Sequence, residues 1–405
     1  MSILVMKFGG TSVAEPERIK KAAIKVKREY DQGHHVVVVV SAMAGVTNQL
    51  VGYVGQMSRF YDTREYDSIV ASGEQVTAGL MALALQELEV PARSWLSWQI
   101  PIHTNDVHGS ARIEEIDGSN IKERFESGMV AVVAGFQGIS DQNRITTLGR
   151  GGSDTSAVAL AAALGAVRCD IYTDVDGVYT ADPRLVPNAR KLNQVSHETM
   201  LEMASLGAKV LQTRSVELAM NYNLPVQVLS SFTDTPGTLI VSEDEMVEKL
   251  VVSSVAYSRD EAKITLFKVA DTPGIAAKIF GPLSDAAINV DMIVQSVSRD
   301  GNHTDMTFTV GRADLDRATD ILNHAKTDIH YEDIASDATV AKISVIGVGM
   351  RSHAGVAQKM FQTLAECGAN IQVIATSEIK ISTLIHEDQL QAALQALHTA
   401  YGLDG

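Results

Sequence analysis

The chain has 405 residues, a formal net charge of −15 and a sequence pI near 5.2. That length allows two or three domains with sizeable cores, and the acidic balance argues against nucleic acid or an anionic membrane as a partner. No run of eighteen uncharged apolar residues and no signal-peptide pattern occurs, and Cys169 and Cys367 are the only cysteines. A reduced cytoplasmic protein without membrane span, disulfide framework or metal site is expected.

The apolar run Ile3 to Met6 leads into Lys7-Phe8-Gly9-Gly10-Thr11-Ser12, and a helical pattern begins near Ala14. Strand, Gly-Gly turn and helix N-terminus in that order outline a phosphate site, with Lys7 supplying charge and Gly9 and Gly10 supplying N–H donors. Taken alone, a Gly-Gly turn between strand and helix is more often plain turn chemistry. Neither a Walker A loop nor a Rossmann fingerprint is present. Ile19, Ala22, Ala23, Val26 and Tyr30 fall at helical spacing with Gly33 as a cap, and Val36 to Val40 reads as a strand buried on both faces. Ser41 to Asn48 follows as a small, polar, Gly-bearing loop. Ser72-Gly73-Glu74-Gln75 opens a helix, where Glu74 could hold an ammonium group or simply stand in a solvated first turn.

Val130 to Ala134 is another buried strand, and Thr147 to Ala157 contains Gly149-Arg150-Gly151-Gly152-Ser153-Asp154 before a helix closed by Gly165. Several backbone donors and an arginine suited to bidentate grip of an anion converge there. Ser153 is the expected N-cap, and Asp154 reads either as dipole complement or as a functional carboxylate. Tyr172 to Arg184 includes Asp174-Val175-Asp176-Gly177. An EF-hand reading fails because its end positions would be Tyr172 and Pro183, so Asp176-Gly177 is expected to turn between two strands. Lys209, taken alone, would pass for a surface lysine. Strands alternating with helices imply a largely parallel sheet, with ligands at the carboxyl ends where Lys7, Ser41, Gly135 and Thr173 fall.

The acidic Ser242 to Glu245 stretch marks a boundary, and beyond it the chain repeats itself. Gly274 and Gly355 are 81 residues apart, as are Asn289 and Asn370. Each copy reads strand, Gly-capped helix, Asn turn, strand, which is half of a βαββαβ ferredoxin-like unit.

Taken together, Lys7 to Ser12, Ser41 to Asn48, Ser72 to Glu74, Gly149 to Ala157, Thr173 to Arg184 and Gly207 to Lys209 resemble the amino acid kinase family, specifically the aspartate kinases. The doubled C-terminal unit resembles a pair of ACT domains. The resemblance implies an α/β fold: a three-layer αβα catalytic domain with a mostly parallel sheet over residues 1–245, then ACT domains over 263–335 and 340–405, the latter completed by a strand near 250–258. It implies transfer of the ATP γ-phosphoryl group to the side-chain carboxylate of L-aspartate, with Mg²⁺ arriving on ATP and no prosthetic group. Lys7, Asp154 and Lys209 would be catalytic. ATP would meet Lys7, Phe8, Gly9, Gly10, Ser41, Thr173, Asp174, Tyr179, Asp182, Arg184 and Lys209. Aspartate would meet Thr47, Glu74, Arg150, Gly151, Ser153 and Asp154.

By the same resemblance, lysine, threonine or both would act at Asp271, Ala276, Asn289, Asp291, Gln295, Asn370, Ile371, Thr376, Ser377 and Glu378. The chain would form a homo-oligomer through the ACT domains or join a separate regulatory subunit. Leu211-Gln212-Thr213-Arg214 departs from the His-Pro that many relatives carry after the leucine, with little effect expected on the pocket wall. A glutamate or uridylate kinase would share the fold but lack the doubled tail. A non-catalytic amino-acid sensor would not need both lysines and Asp154.

Overall fold

The computed structural model describes residues 2–125, 127–207, 210–246, 251–297, 302–351, 353 and 355–404. They form two compact units. The first comprises residues 1–178, 191–204 and 209–247, and the second 179–190, 205–208 and 248–405.

At the centre of the first unit lies the strand Ile3–Phe8, paired in parallel with His35–Val40 on one side and Arg168–Thr173 on the other. Val130–Ala134 and Ala92–Trp95 extend the sheet beyond His35–Val40, and Val226–Ser230, Thr238–Val241 and Gln194–Ser196 extend it beyond Arg168–Thr173. Every pairing is parallel except that of Val226–Ser230 with Thr238–Val241. Alternate residues of a strand face opposite sides. Leu4, Met6 and Phe8 therefore join Val36, Val38 and Val40 in one core with Ile19, Ala23 and Val26 of the helix Pro16–Asp31 and Met81 and Leu85 of Ser72–Glu87. Lys7 faces the other side, toward the helix Gly152–Leu164. Gly33 and Gly165 close their helices in the left-handed region, as the sequence indicates.

Two features differ from the sequence reading. A second sheet of short strands, in the order Ile113–Ile116, Ile102–Thr104, Gln137–Ser140 and Ile145–Thr147, has no counterpart in it. Residues 174–177 are bends rather than a hairpin turn: no strand follows, and Asp176 pairs with Lys191 at 3.2 Å. The helical stretch Thr63–Glu87 is long and apolar enough to cross a membrane, yet half of its most apolar window is buried within the protein and it carries the buried acids Asp67 and Glu74. Those are the marks of a core helix.

In the second unit, Ala262–Ala270, Ile275–Asp285, Val290–Val297, His303–Val310, Leu315–His324 and Asp333–Asp337 follow as βαββαβ. Their sheet order is Val290–Val297, His303–Val310, Ala262–Ala270, Asp333–Asp337. The second copy repeats this with Val340–Ile346, Val356–Glu366, Val373–Thr376, Lys380–His386 and Leu390–Ala400. Its fourth strand comes from upstream: Ser254–Ser258 pairs antiparallel with Val340–Ile346. The helices Ile275–Asp285 and Val356–Glu366 keep the 81-residue offset, and each starts after a left-handed glycine, Gly274 or Gly355.

Candidate active site

Lys7 is the penultimate residue of the central strand, and its side chain is buried. Its Nζ lies 2.5 Å from Asp154 Oδ1, in the first turn of Gly152–Leu164. Both side chains are about nine-tenths covered, so a full positive charge is fixed where the surroundings screen it poorly. The N-cap of that helix is Gly151 at φ 72°, not Ser153, which sits buried one residue inside the helix. A Cβ on Gly135 would come within 3.0 Å of Ser153 Cβ, so the ends of two strands and this helix meet around Asp154.

Side chains at Gly9 and Gly10 would crowd this corner. A Cβ on Gly9 would approach Lys7 Nζ to 3.3 Å, and one on Gly10 would approach Ala42 O to 3.0 Å. The expected donor role of Gly9 does not hold, because its N–H already donates to Tyr172 O at 3.1 Å. The helix expected near Ala14 starts at Pro16, after a turn over Gly10 to Val13. The dipole end beside Lys7 is that of Gly152–Leu164. Ser41 and Thr47 are both partly buried, Thr47 in the first turn of Val46–Met57.

Glu74 is not a solvated first-turn residue. It is 4% exposed, and its Oε1 accepts the Ala42 N–H at 3.0 Å. Among the described residues, nothing satisfies the buried Oε2. Burial pushes the Glu74 carboxyl up to about 7, against the pull of the Ala42 N–H. A buried carboxylate with an open oxygen is a receptor for a cation.

Arg150 is exposed on the Gly149–Gly152 loop, and no described side chain pairs with it. The departure at 211–214 bears directly on that loop, contrary to the expectation. Arg214 Nη1 donates to Leu148 O at 3.1 Å. The Gln212 side chain occupies the space a Cβ on Gly151 would need, at 1.7 Å.

The segment expected to meet ATP is divided. Phe8 is buried, stacked on Tyr172 with ring centroids 4.7 Å apart. Thr173 and Asp174 stand at the end of Arg168–Thr173 in the first unit, Thr173 Oγ1 donating to Asp174 Oδ1 at 3.2 Å. Tyr179, Asp182 and Arg184 belong to the second unit. There Thr180 Oγ1 lies 2.8 Å from His398 Nε2, and Asp404 Oδ1 lies 3.0 Å from the other ring nitrogen. Arg184 forks onto Asp182 at 3.0 and 2.7 Å, and Tyr257 Oη donates to Asp182 at 3.1 Å. Lys209 lies outside the described residues.

Of the expected effector residues, Asp271, Ala276, Asn289, Asp291, Gln295, Asn370, Thr376, Ser377 and Glu378 are exposed and Ile371 is partly so. Val290–Val297 lies against Val373–Thr376 of the other copy, with Met292, Val340, Val373 and Leu384 packed together. Buried Lys342 bridges Glu261 at 2.6 Å and Asp291 at 2.7 Å. Burial works to raise the Asp291 carboxyl, but the Lys342 ammonium outweighs it and holds the group below the ordinary carboxylate value. Sequence reasoning missed Lys342, Glu261, Thr180, His398 and Asp67. Only Lys342 carried a signal, since it opens the Lys-Ile-Ser-Val copy of Lys263-Ile264-Thr265-Leu266.

The profile of the Amino acid kinase family matches residues 2–230, and ACT domain profiles match 263–324 and 343–401. An aspartokinase of Pseudomonas aeruginosa is 53% identical, covering all of this chain and 98% of its own. Escherichia coli aspartokinase III, solved with aspartate and ADP in an R-state, is 27% identical with a TM-score of 0.82, over 98% of this chain and 99% of that one. The same enzyme solved with lysine and aspartate in a T-state gives 0.76 at the same identity and coverage. A family profile over more than half of the chain, two ACT domains behind it and full-length relatives above 50% identity place this chain in the amino acid kinase family, among the aspartate kinases that carry tandem ACT domains.

Proposed function

We propose that the first unit transfers the γ-phosphoryl group of ATP to the side-chain carboxylate of L-aspartate, giving 4-phospho-L-aspartate and ADP. The observation that carries this is the buried Lys7–Asp154 pair together with the half-satisfied Glu74, whose partner Ala42 lies against Gly10. Phosphoryl transfer needs positioning and charge neutralisation more than covalent help from the protein. The acceptor carboxylate is already ionised, so it attacks γ-phosphorus without losing a proton, and the bond to the β-phosphate oxygen breaks as ADP leaves. Lys7 meets the charge on the moving group, and Asp154 orients Lys7 rather than serving as a base. Lys209 would add a second cation. Glu74 receives the ammonium group of aspartate at Oε2, Arg150 its α-carboxylate, and Thr47, Gly151 and Ser153 complete that side. Ser41, Phe8, Gly10, Thr173 and Asp174 of the first unit would meet ATP, which brings Mg²⁺ with it, and the resemblance offers Tyr179, Asp182 and Arg184 of the second unit for the same ligand.

An acyl phosphate reacts with hydroxylamine, so incubation with ATP, Mg²⁺ and hydroxylamine should yield a hydroxamate with aspartate and none with glutamate. Equal yields from both acids would sink the substrate assignment. The two free cysteines, one buried and one partly so, fit a reducing cytoplasm.

The ACT pair binds an end-product amino acid, lysine or threonine, and lowers turnover. The E. coli relative was solved with lysine. The charged groups at the facing edges, with Asp291 held by Lys342, suit an ammonium that competes with Lys342. Asp291→Ala should abolish inhibition, a coupling of about 1–3 kcal/mol, while uninhibited turnover stays near wild type. Inhibition that persists unchanged in Asp291→Ala would remove that residue from the effector site. Sedimentation of the chain with and without lysine would show whether it assembles with itself.

A further inference from the structure

Asp67 lies in the helix Thr63–Val70, outside every segment given a role above, and is fully buried. Its Oδ1 accepts from Thr147 Oγ1 at 2.5 Å and from Gly109 N at 3.1 Å. Its Oδ2 accepts from Thr147 N at 3.1 Å and from His108 Nδ1 at 2.7 Å. His108 Nδ1 supplies this last bond when it is the protonated ring nitrogen, since a carboxylate accepts.

One side chain thus ties together three stretches far apart in the sequence. The Asp67 helix runs through Ala71 straight into Ser72–Glu87, which carries Glu74. Thr147 ends the strand Ile145–Thr147, three residues before Arg150. The loop holding His108 and Gly109 supports the Arg150 loop from beneath. Ala111 N donates to Thr147 O at 2.8 Å, and a Cβ on left-handed Gly149 would lie 3.3 Å from Gly109 O. Four donors on a buried carboxylate leave it little freedom, since each lost partner would strand a buried polar group.

We infer that Asp67 is a positioning residue for aspartate, fixing the spacing between Arg150 and Glu74. The α-carboxylate and ammonium of one amino acid sit at a set separation, so their two receptors must be held at a matching one. A misplacement of about 1 Å is enough to cost much of the advantage of a prepared site. The inference rests on the assignment of Arg150 and Glu74 to aspartate.

The test is steady-state kinetics of the full chain, varying each substrate separately, for Asp67→Asn, Thr147→Val, Thr147→Ser and Arg150→Lys, with thermal melts. Asp67→Asn is expected to raise the aspartate KM roughly tenfold or more, the scale of a lost hydrogen bond to a charged group, with the ATP KM little changed. Thr147→Val should raise it less, and Thr147→Ser, which keeps the hydroxyl, should stay near wild type. In an Arg150→Lys background, Thr147→Val should add little further, because the two act through one contact. Parallel rises in both KM values, or a fall in kcat alone, would overturn the inference. If Asp67→Asn does not fold, the Thr147 pair decides by the same criteria. An effect of Arg150→Lys on the aspartate KM without one of Thr147→Val defeats the inference alone. No effect of Arg150→Lys defeats the assignment beneath it and the inference together.

Discussion

The residues assigned to aspartate and those assigned to ATP are prepared in opposite ways. At the Glu74 end of the aspartate side the carboxyl is buried within the first unit and one receptor atom, Oε2, is left open among the described residues, while Arg150 stands exposed. On the nucleotide side, Arg184 is spent on Asp182, with its side chain 81% exposed, and both belong to a segment built into the second unit. A buried receptor gives selectivity because nothing else satisfies it, and water is excluded from the competition. An ion pair whose cation is exposed, as Arg184 is while Asp182 is 16% exposed, contributes little through that cation, which can turn to a phosphate partner. On these proposed assignments, the Glu74 end of the aspartate side is prepared before substrate arrives, whereas Arg184 would have to leave Asp182 to meet a phosphate.

The strongest way to break this contrast is at the phosphoryl end. Lys7→Ala should lower kcat by at least ~10²-fold, the usual scale for losing a prepared transition-state contact, and initial rates at saturating substrates would show it. A near-normal kcat would remove Lys7 from the chemistry.

Stability against pH sharpens the contrast at Glu74. Its carboxyl is raised from 4.5 to about 7, so between those values the folded chain binds more protons than the unfolded one. Stability from this group is therefore full below the lower value and is lost as pH rises through the upper one. Glu74→Gln keeps an acceptor for Ala42 N–H without the buried charge. It should be more stable than wild type at pH 8, by about 3 kcal/mol at most from the size of the shift, with the gap closing toward pH 5. Denaturant melts across that range would detect it, and a gap independent of pH would mean the carboxyl is not raised.

The smallest effect is expected on the nucleotide side. Asp182→Asn frees the exposed Arg184 from its partner and should change the ATP KM by no more than roughly threefold, as befits a pair with one solvated member, leaving the aspartate KM alone. A larger shift in the aspartate KM would merge the two sides.

Much of this was legible in the sequence because it is local. Val130–Ala134 coincides with its apolar run, and the Gly-capped helices of the repeat are set by left-handed glycines that no other residue adopts so readily. What escaped is long-range. Asp67 looks like any polar residue on a short helix, and its partners stand 41, 42 and 80 positions away. The strands of the second sheet are three or four residues long, too short to show alternation. Gly9 was read as a donor because its motif says nothing of Tyr172 O, 163 positions downstream, which takes its N–H. Glu74 was legible as a candidate, but its burial was not. Burial is what turns a first-turn carboxylate into a receptor.

The most direct measurement is calorimetric titration of L-aspartate into the nucleotide-free chain between pH 6 and 8.5, for wild type and Glu74→Gln. A preorganised aspartate side predicts binding without ATP that tightens as pH rises through about 7, with proton release on the acid side, and weaker, pH-independent binding in Glu74→Gln. Binding that requires nucleotide, or a pH dependence that survives in Glu74→Gln, would contradict it.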